Sequence, residues 1–410
     1  MRDTHRRAPV YDVAVVGGGI LGLATGMALL ERRHGLRLVI LDKEKDIGMH
    51  QTSHNSGVIH MGIYYRPGSM KARLCAAGAR RMMEFCDVHG IRYERCGKVI
   101  VATSEQELER LETLYQRGLA NGVPELRRID AAELREIEPH AAGLAALHSP
   151  CTAIVDYGEV AHAMARDIEG YGAEIRTGAE VVAVHSDRES LRVETKAGAL
   201  AARSLINCAG LYADRLARRM GVQTDVQIVP FRGEYYLLRA ERRDIVRGLV
   251  YPVPDPDLPF LGVHFTKTIH GETEAGPNAV LAFAREGYTK RTIVATELWE
   301  TLRYRGFHAL ARRYWRVGLY EAYRSFNKVA FTRSLQRLIP DILAADLRVG
   351  GAGVRAQAVA SDGSLLDDFS IAETPRAMHV LNAPSPAATA ALAIGDHIAE
   401  RAVETLSLQA

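Results

Sequence analysis

The chain has 410 residues, of which 47% are hydrophobic and 25% charged, and a formal net charge of +3. That length suits about two or three domains, and the composition is that of an ordinary globular protein, which excludes a disordered chain, a collagen and a coiled coil. So small a basic excess makes no global case for nucleic-acid binding. The five cysteines (Cys75, Cys86, Cys96, Cys151, Cys208) form no C-x-x-C pair, which argues for reduced thiols over a disulfide framework or a metal centre.

Val13 to Leu30 runs 18 residues without a charge and follows Arg6 and Arg7. Hydropathy alone would allow a membrane span or a signal peptide. The five glycines at 17, 18, 19, 22 and 26 predict instead a buried strand over Tyr11–Val16, a tight turn, and a helix over Leu21–Arg33. A second apolar strand, Leu38–Leu41, ends at Asp42 and completes a βαβ-sized unit. Ser69–His89 reads as a helix. Ser104 with Glu107, and Asp130 with Glu133, read as capping boxes opening two more.

Further on, a helix is expected over Val160–Tyr171, then strands over Glu174–Arg176, Glu180–His185 and Ser204–Cys208. Phe231–Leu238 and Asn278–Ala284 read as strands of a different sheet. Trp299–Ser325 reads as helical, Leu347–Gly351 and His379–Leu381 as short strands, and Thr389–Glu400 as a closing helix. Elements of α/β character thus lie at both ends and in the middle. The expectation is a discontinuous nucleotide domain over 1–90, 150–228 and 338–410, with a mixed or antiparallel-sheet substrate domain over 91–149 and 229–337.

Gly17-Gly18-Gly19-Ile20-Leu21-Gly22 matches G-x-G-x-x-G in the right setting, after a strand and at the start of a helix. Gly17 allows the tight turn, Gly19 lets the backbone approach a pyrophosphate, and Gly22 lets the helix lie close to the sheet. Asp42, at the end of the next strand, can accept hydrogen bonds from ribose hydroxyls. The strand Leu205–Cys208 ending in Ala209-Gly210 resembles the second fingerprint of glutathione-reductase-like Rossmann FAD domains, in which Val181 would meet adenine. No second G-x-G-x-x-G follows a strand, so electrons are expected to leave by oxygen, a quinone or another protein rather than by a nicotinamide.

The stretch Gln51-Thr52-Ser53-His54-Asn55-Ser56-Gly57-Val58-Ile59-His60, continuing to Tyr64-Tyr65, resembles the L-2-hydroxyglutarate dehydrogenase/oxidase family of the D-amino-acid-oxidase superfamily. Motifs similar to that family follow in order: Pro230–Tyr235, Tyr251–Pro256, Leu261–His264, Gly276–Ala279, Gly353–Gln357 and Asn382–Thr389. Two positions depart from the family pattern, Asp42 for a more usual Glu and Ser53 for Gly. The resemblance implies FAD, a fold like that of glycine oxidase, and oxidation of L-2-hydroxyglutarate to 2-oxoglutarate. It also implies a cytoplasmic protein, peripheral on the inner face of the membrane, that passes electrons to the respiratory chain. Thr52, Ser53, His54, Asn55 and Ser56 become cofactor contacts. Pro384, Ser385, Ala387 and Thr389 become cofactor contacts in a Pro-punctuated segment whose backbone N–H groups and helix start would lie near the flavin, unless that segment is an ordinary loop-to-helix junction with Ser385 as the cap.

Oxidising a 2-hydroxy acid moves a hydride from the carbon and a proton from the hydroxyl, and histidine is the natural base near neutrality. His60 is the first candidate and His264 the second. Arg355, two residues after Gly353, is the candidate clamp for the C1 carboxylate. The distal carboxylate has Lys267, Arg232 and Arg66 as candidate cations, and Tyr64, Tyr65 and Tyr288 as candidate hydroxyl donors. The rivals are a superfamily enzyme acting on an amino acid, an amine or glycerol 3-phosphate, and a flavin-binding redox sensor without turnover.

Trp299 to Arg337 carries nine Lys or Arg and two acids. Phe307, Leu310, Ala311, Tyr314 and Trp315 recur at helical spacing, with Arg305, Arg312, Arg313 and Arg316 on the other side. Such a helix either lies on an anionic membrane surface, where a quinone would be met, or packs its apolar face on the substrate domain. The oligomeric state is not legible in these patterns.

Overall fold

The uncharged run after Val10 folds as expected. The structure, a computed structural model, describes residues 10–408; Arg6 and Arg7 lie outside the described residues. Val10–Val16 is a strand, Ile20–Arg32 a helix and Leu38–Leu41 a second strand, parallel to the first. Gly26 lets this helix approach the sheet: a Cβ there would lie 3.0 Å from Ile40 Cδ1.

Two compact units divide the chain. The first comprises Met1–Ser53, Tyr157–Val226 and Phe369–Ala410, the second His54–Asp156 and Gln227–Asp368. Residues 54–90, 150–156, 227–228 and 338–368 therefore fall in the second unit, not in the nucleotide-type unit as the sequence suggested. The reason is strand pairing. Val58–Ile59 pairs with Ala153–Val155, and Leu347–Ala360 pairs with Val226–Leu238.

The first unit is built on an eight-stranded sheet. Its order is Val181–Ser186, Leu191–Thr195, Gly198–Asn207, Val10–Val16, Leu38–Leu41, Glu174–Arg176, with Ala377–Asn382 also beside Gly198–Asn207 and Ser370–Thr374 outside it. The four pairings from Ala377–Asn382 across to Glu174–Arg176 are parallel. The helix Ala391–Thr405 packs on Ile20–Arg32, so closely that a Cβ on Gly395 would meet the Ala24 backbone at 2.5 Å.

The second unit is built on a nine-stranded sheet. Its order is Val280–Leu281, Val226–Leu238, Thr273–Gly276, His264–Lys267, Leu249–Pro252, Lys98–Ala102, Ala145–Ser149, Arg127–Asp130, with Leu347–Ala360 beside Val226–Leu238. Alternation gives this sheet two unlike faces. Val99, Val101, Val250, Phe265, Ala275 and Phe331 form a buried apolar cluster on one. Opposed pairs Leu249 with Lys98, Leu249 with Thr266, and Thr266 with Glu274 put Lys98, Tyr251, His264, Thr266 and Glu274 on the other.

The helices depart from expectation in two places. Asp130 caps its helix, accepting from Ala132 and Glu133 N–H at 2.9 Å. Ser104 makes no side-chain cap, because Glu107 instead accepts from Thr103 N at 2.7 Å. The single helix expected over Trp299–Ser325 is two, Ala295–Arg303 and Arg305–Phe326, the second kinked at Tyr314. The break at Tyr304 is tertiary in origin. The Tyr304 hydroxyl donates to Val359 O at 2.9 Å, and a Cβ on Gly306 would lie 2.2 Å from Ala360 O.

Candidate active site

Consider first the glycine turn of the first unit. Gly17 has φ +110°, a conformation that L side chains avoid, and a Cβ there would lie 2.3 Å from Cys208 O. A Cβ on Gly22 would lie 1.9 Å from Gly17 O. These two glycines are closed against backbone. Gly19 is different, since only Thr52 Oγ1, at 3.3 Å, lies near its missing Cβ. Gly19 starts the helix without a side-chain cap, so the turn is open where an anion would meet helix N–H groups.

Asp42 stands at the rim of this turn. Its carboxylate accepts from Gly18 N at 2.7 Å and Glu44 N at 2.8 Å. Burial pushes its pKa up, and the two backbone donors oppose that shift. Ala209-Gly210 abuts the turn, with Cys208 N donating to Val16 O at 2.8 Å. Val181 opens a strand just after Ala179 N, which donates to Asp42 O at 2.7 Å.

Other expected cofactor contacts fall out differently. Thr52 is buried, and its Oγ1 accepts from Ile20 N at 3.0 Å, so it supports the helix start. Ser53, His54 and Asn55 are exposed, Ser56 is half-buried, and the His54 ring lies against Tyr288 with centroids 4.4 Å apart. Pro384 and Ala387 are half-buried in the loop before Ala391–Thr405, and the buried Thr389 hydroxyl meets Tyr157 Oη at 3.1 Å. Ser385 is exposed and caps nothing; the helix N-cap is Ala390.

In the second unit one sheet face gathers the polar chemistry. His264 stacks on Tyr251 with centroids 3.9 Å apart, and its Nδ1 lies 2.9 Å from Gly262 O. A carbonyl partner requires Nδ1–H, so the neutral ring keeps its lone pair on Nε2. Burial pushes the His264 pKa down to about 3, and the charges of Lys98 and Arg355 add to that. His60 is held well below its ordinary range by burial first, then by Lys98 and His264. Its Nδ1 lies 3.4 Å from Lys98 Nζ.

Arg355 lies over the Phe260 ring at 5.0 Å, and its buried Nη1 has no hydrogen-bond partner among the described residues. The Tyr64 hydroxyl is likewise buried and unpartnered. Tyr65 is half-buried, with Lys71 Nζ 5.1 Å from its ring.

Two expected cations sit elsewhere. Lys267 is an odd number of residues from His264 on the same strand, so it faces the other way, and it pairs with Glu94 at 2.5 Å. Arg232 is buried, with four hydrogen bonds to its own surroundings. It donates to Glu234 at 2.9 and 3.0 Å, to Gly287 O at 3.3 Å and to Thr289 O at 3.1 Å. Both are corrections, and parity explains them: Arg232 and Glu234 lie opposite the Tyr235 face of their strand. Arg66 is exposed.

Sequence reasoning passed over Lys98, Tyr235, Tyr251 and Glu274. Burial brings Lys98 down to about 7 and Glu274 up to about 7. One signal was readable. Lys98 opens an otherwise apolar strand, Lys98–Ala102, that is buried at every position, and a lysine there is rarely incidental.

Comparison with known proteins decides the family. The family model described as FAD dependent oxidoreductase matches residues 12–401. This chain belongs to that family. It is 48% identical over 395 residues to the L-2-hydroxyglutarate dehydrogenase of Indibacter alkaliphilus, covering 96% of this chain and 99% of that one. It is 46% identical over 398 residues to the enzyme of the same name from Escherichia coli strain K12, covering 97% and 94%. The mitochondrial L-2-hydroxyglutarate dehydrogenase of Homo sapiens is 43% identical over 415 residues, covering 97% and 90%. Among solved structures, an FAD-bound L-alpha-glycerophosphate oxidase from Mycoplasma pneumoniae superposes with a TM-score of 0.77 at 23% identity, covering 97% and 95%. Glycine oxidase from Geobacillus kaustophilus gives 0.69 at 22%, covering 95% of each chain. These two bear on fold alone, and they agree with the expected α/β class.

The chain is thus an FAD-dependent oxidoreductase. The open face of the glycine turn and a helix N-cap residue without a side chain, beside the Ile20 N–H that Thr52 holds, suit a dinucleotide pyrophosphate, so the residues present fit the cofactor. Among the described residues, no helix is long and apolar enough to cross a membrane.

Proposed function

We propose that this chain oxidises L-2-hydroxyglutarate to 2-oxoglutarate and passes the electrons to the membrane quinone pool or to oxygen. The observation that carries this reading is the buried, unpartnered Nη1 of Arg355 near the neutral His264, in a chain 43–48% identical to enzymes named for that substrate.

Gly17, Gly19, Gly22 and the helix start would hold the pyrophosphate, Asp42 the ribose, Val181 and Ala209-Gly210 the adenosine side, and the 384–389 backbone the flavin ring. FAD, when bound, supplies the two-electron acceptor. The rest falls to side chains of the second unit. Arg355 grips the C1 carboxylate with its planar fork and so orients the reacting carbon. The hydroxyl proton passes to a neutral imidazole. The tautomer set by Gly262 O leaves Nε2 of His264 ready to accept it, whereas Nδ1 of His60 faces Lys98. This ranks His264 ahead of His60, the reverse of the order suggested by position alone. Burial and neighbouring positive charge keep both imidazoles weakly basic. Two substrate carboxylates would offset the charges of Lys98 and Arg355, and His264 would become a stronger base as substrate binds.

The test is anaerobic mixing of the FAD-loaded protein with L- and D-2-hydroxyglutarate, glycerol 3-phosphate and a panel of amino acids. Bleaching of the yellow absorbance by the L-hydroxy acid alone is the expected result. Bleaching by another panel member moves the substrate. No bleaching at all favours the sensor reading.

The acceptor has its own support. Phe307, Leu310 and Tyr314 pack inward in an apolar cluster around Val229 and Val359. Beyond the Tyr314 kink, Trp315, Leu319, Tyr323 and Phe326 are exposed, as are Arg312, Arg313 and Arg316. A cavity of about 940 Å³, walled by Phe231, Phe260, Leu281, Phe307, Tyr314 and Trp315 among others, opens beside them. Exposed aromatics ringed by arginines suit an anionic lipid surface. The protein should pellet with anionic vesicles at low salt and be released by high salt, where the screening length falls to about 3 Å. Changing Arg312, Arg313 and Arg316 together to Glu should abolish pelleting and leave anaerobic flavin reduction unchanged. A parent protein that stays in the supernatant would count against membrane contact.

A further inference from the structure

We propose that Lys98 is the specificity-determining residue of this site, its ammonium taking the distal carboxylate so that the pocket selects a dicarboxylate over a monocarboxylate 2-hydroxy acid. The inference rests on the reading above for the reaction and deepens it.

Lys98 is 2% exposed, at the start of a strand whose alternation points it to the same sheet face as Tyr251 and His264. Its Nζ lies 4.1 Å from the Tyr251 ring and 5.1 Å from the Tyr64 ring. Among the described residues its one hydrogen-bond contact is His60 Nδ1 at 3.4 Å, so an ammonium with three donors is left under-used. No carboxylate forms an ion pair with it among the described residues. The thiols nearest in charge, Cys75 and Cys96, are pushed up to about 12 by burial, so they are neutral and offer no anion.

A buried cation without a counter-ion is costly: burial already brings Lys98 down to about 7, and a bound anion would offset that cost. Cation–π contacts offset part of that cost but leave the N–H donors unfilled. The unpartnered Tyr64 hydroxyl, buried in the same wall, supplies a second donor for one anionic oxygen pair. Arg355 and Lys98 both depress His264, so each lies within electrostatic reach of the imidazole we assign as base. Two cations about one base suit a short diacid. Lys98, a point charge on a flexible stem, suits the freely turning distal end, while the Arg355 fork suits the end that must be oriented. A bound carboxylate would also restore the full charge of Lys98 that burial weakens.

The experiment measures binding as well as turnover. Glutarate and pentanoate, two acids of equal length, are titrated into the FAD-loaded protein and followed by perturbation of the flavin spectrum. In parallel, kcat/KM is measured for L-2-hydroxyglutarate and L-2-hydroxypentanoate. In Lys98→Met, a substitution of similar length that fits a buried site, glutarate affinity should fall about 100-fold while pentanoate affinity moves less than about threefold. The preference for the diacid should collapse in kcat/KM as well, with Lys98→Arg restoring part of it.

A Lys98→Met protein that keeps its preference for glutarate overturns the proposal. So does one that loses both acids equally, which would make Lys98 a support for His60 or for the fold. If Lys98→Met does not take up FAD, Tyr64→Phe serves instead, with about a tenfold loss expected for glutarate and none for pentanoate. Lys98-dependent glutarate binding without any turnover of L-2-hydroxyglutarate would uphold the anion site and defeat the reaction assigned above. Normal turnover with unaltered acid preference in Lys98→Met would do the reverse.

Discussion

Replacing Arg355 by lysine is expected to lower kcat/KM for L-2-hydroxyglutarate about 100- to 1,000-fold, roughly 3–4 kcal/mol, while FAD content stays at the level of the parent protein. The structural reason is the fork. The Arg355 guanidinium is seated over the Phe260 ring, and its buried Nη1 donates to nothing. A carboxylate that received two parallel N–H bonds from it would be fixed in plane and in rotation, which fixes the neighbouring carbon. Lysine keeps one charge but offers no fork, and its slimmer chain leaves space above Phe260. One charge-assisted hydrogen bond is worth about 1.5–3 kcal/mol, and misorientation of the reacting carbon adds to that. Both a raised KM and a lowered kcat are therefore expected. Steady-state kinetics with the ratio of flavin to protein absorbance as the control makes the measurement. Near-parental kinetics would remove Arg355 from the clamp.

How much of this site could be read in advance depended on how local its parts are. The glycine turn lies within a short stretch of chain, and the predicted helix Leu21–Arg33 matches Ile20–Arg32 to within one residue. The polar face of the second unit is different. Its members sit on the strands Lys98–Ala102, Val226–Leu238, Leu249–Pro252, His264–Lys267 and Thr273–Gly276, which only the sheet order makes neighbours. A single sequence carries no direct record of that order. Most of these strands are short, and neither their polarity nor their length separates them from loops. His264 and Arg355 could be named because residue type and motif marked them. Tyr235 and Tyr251 lie in the motifs Pro230–Tyr235 and Tyr251–Pro256, but a tyrosine is no obvious base or carboxylate clamp, and Glu274 lies outside every motif.

Lys267 and Arg232 teach a narrower lesson. Both are the right residue type on the right strands, but strand parity sends them to the wrong face. For Lys267, that parity was readable from its spacing to His264. Thr52 shows the converse, a motif residue in the expected segment whose hydroxyl is used to hold the helix start. The break at Tyr304 was not readable, because its cause is a hydrogen bond to Val359 far along the chain.

Gly22→Ala should yield a protein that is nearly colourless after purification, with FAD affinity weakened at least about tenfold and a lower Tm. The added Cβ would sit 1.9 Å from Gly17 O, and its next neighbours are Gly17 C at 3.1 Å and Cys208 Cβ at 3.5 Å. The nearest atom is backbone, so no side chain can swing away to relieve the overlap. Either the helix Ile20–Arg32 lifts from the sheet or the Gly17 peptide turns. The first is resisted by tight packing: a Cβ on Gly26 would meet Ile40 Cδ1 at 3.0 Å, and the helix is backed by Ala391–Thr405. The second is resisted by Gly17 N, which donates to Leu41 O at 2.8 Å. Either movement turns the helix N–H groups away from the position that suits a pyrophosphate, so loss of the cofactor exceeds the loss of stability, which overpacking puts at about 1–3 kcal/mol. Gly35→Ala, at a glycine with no atom within 4 Å of its missing Cβ but with φ +82°, is the matched control. It carries backbone strain of about 1 kcal/mol without touching the turn. It should lower Tm slightly and keep its colour. A Gly22→Ala protein with a full complement of FAD would show that the close approach of helix to turn is not what holds the cofactor.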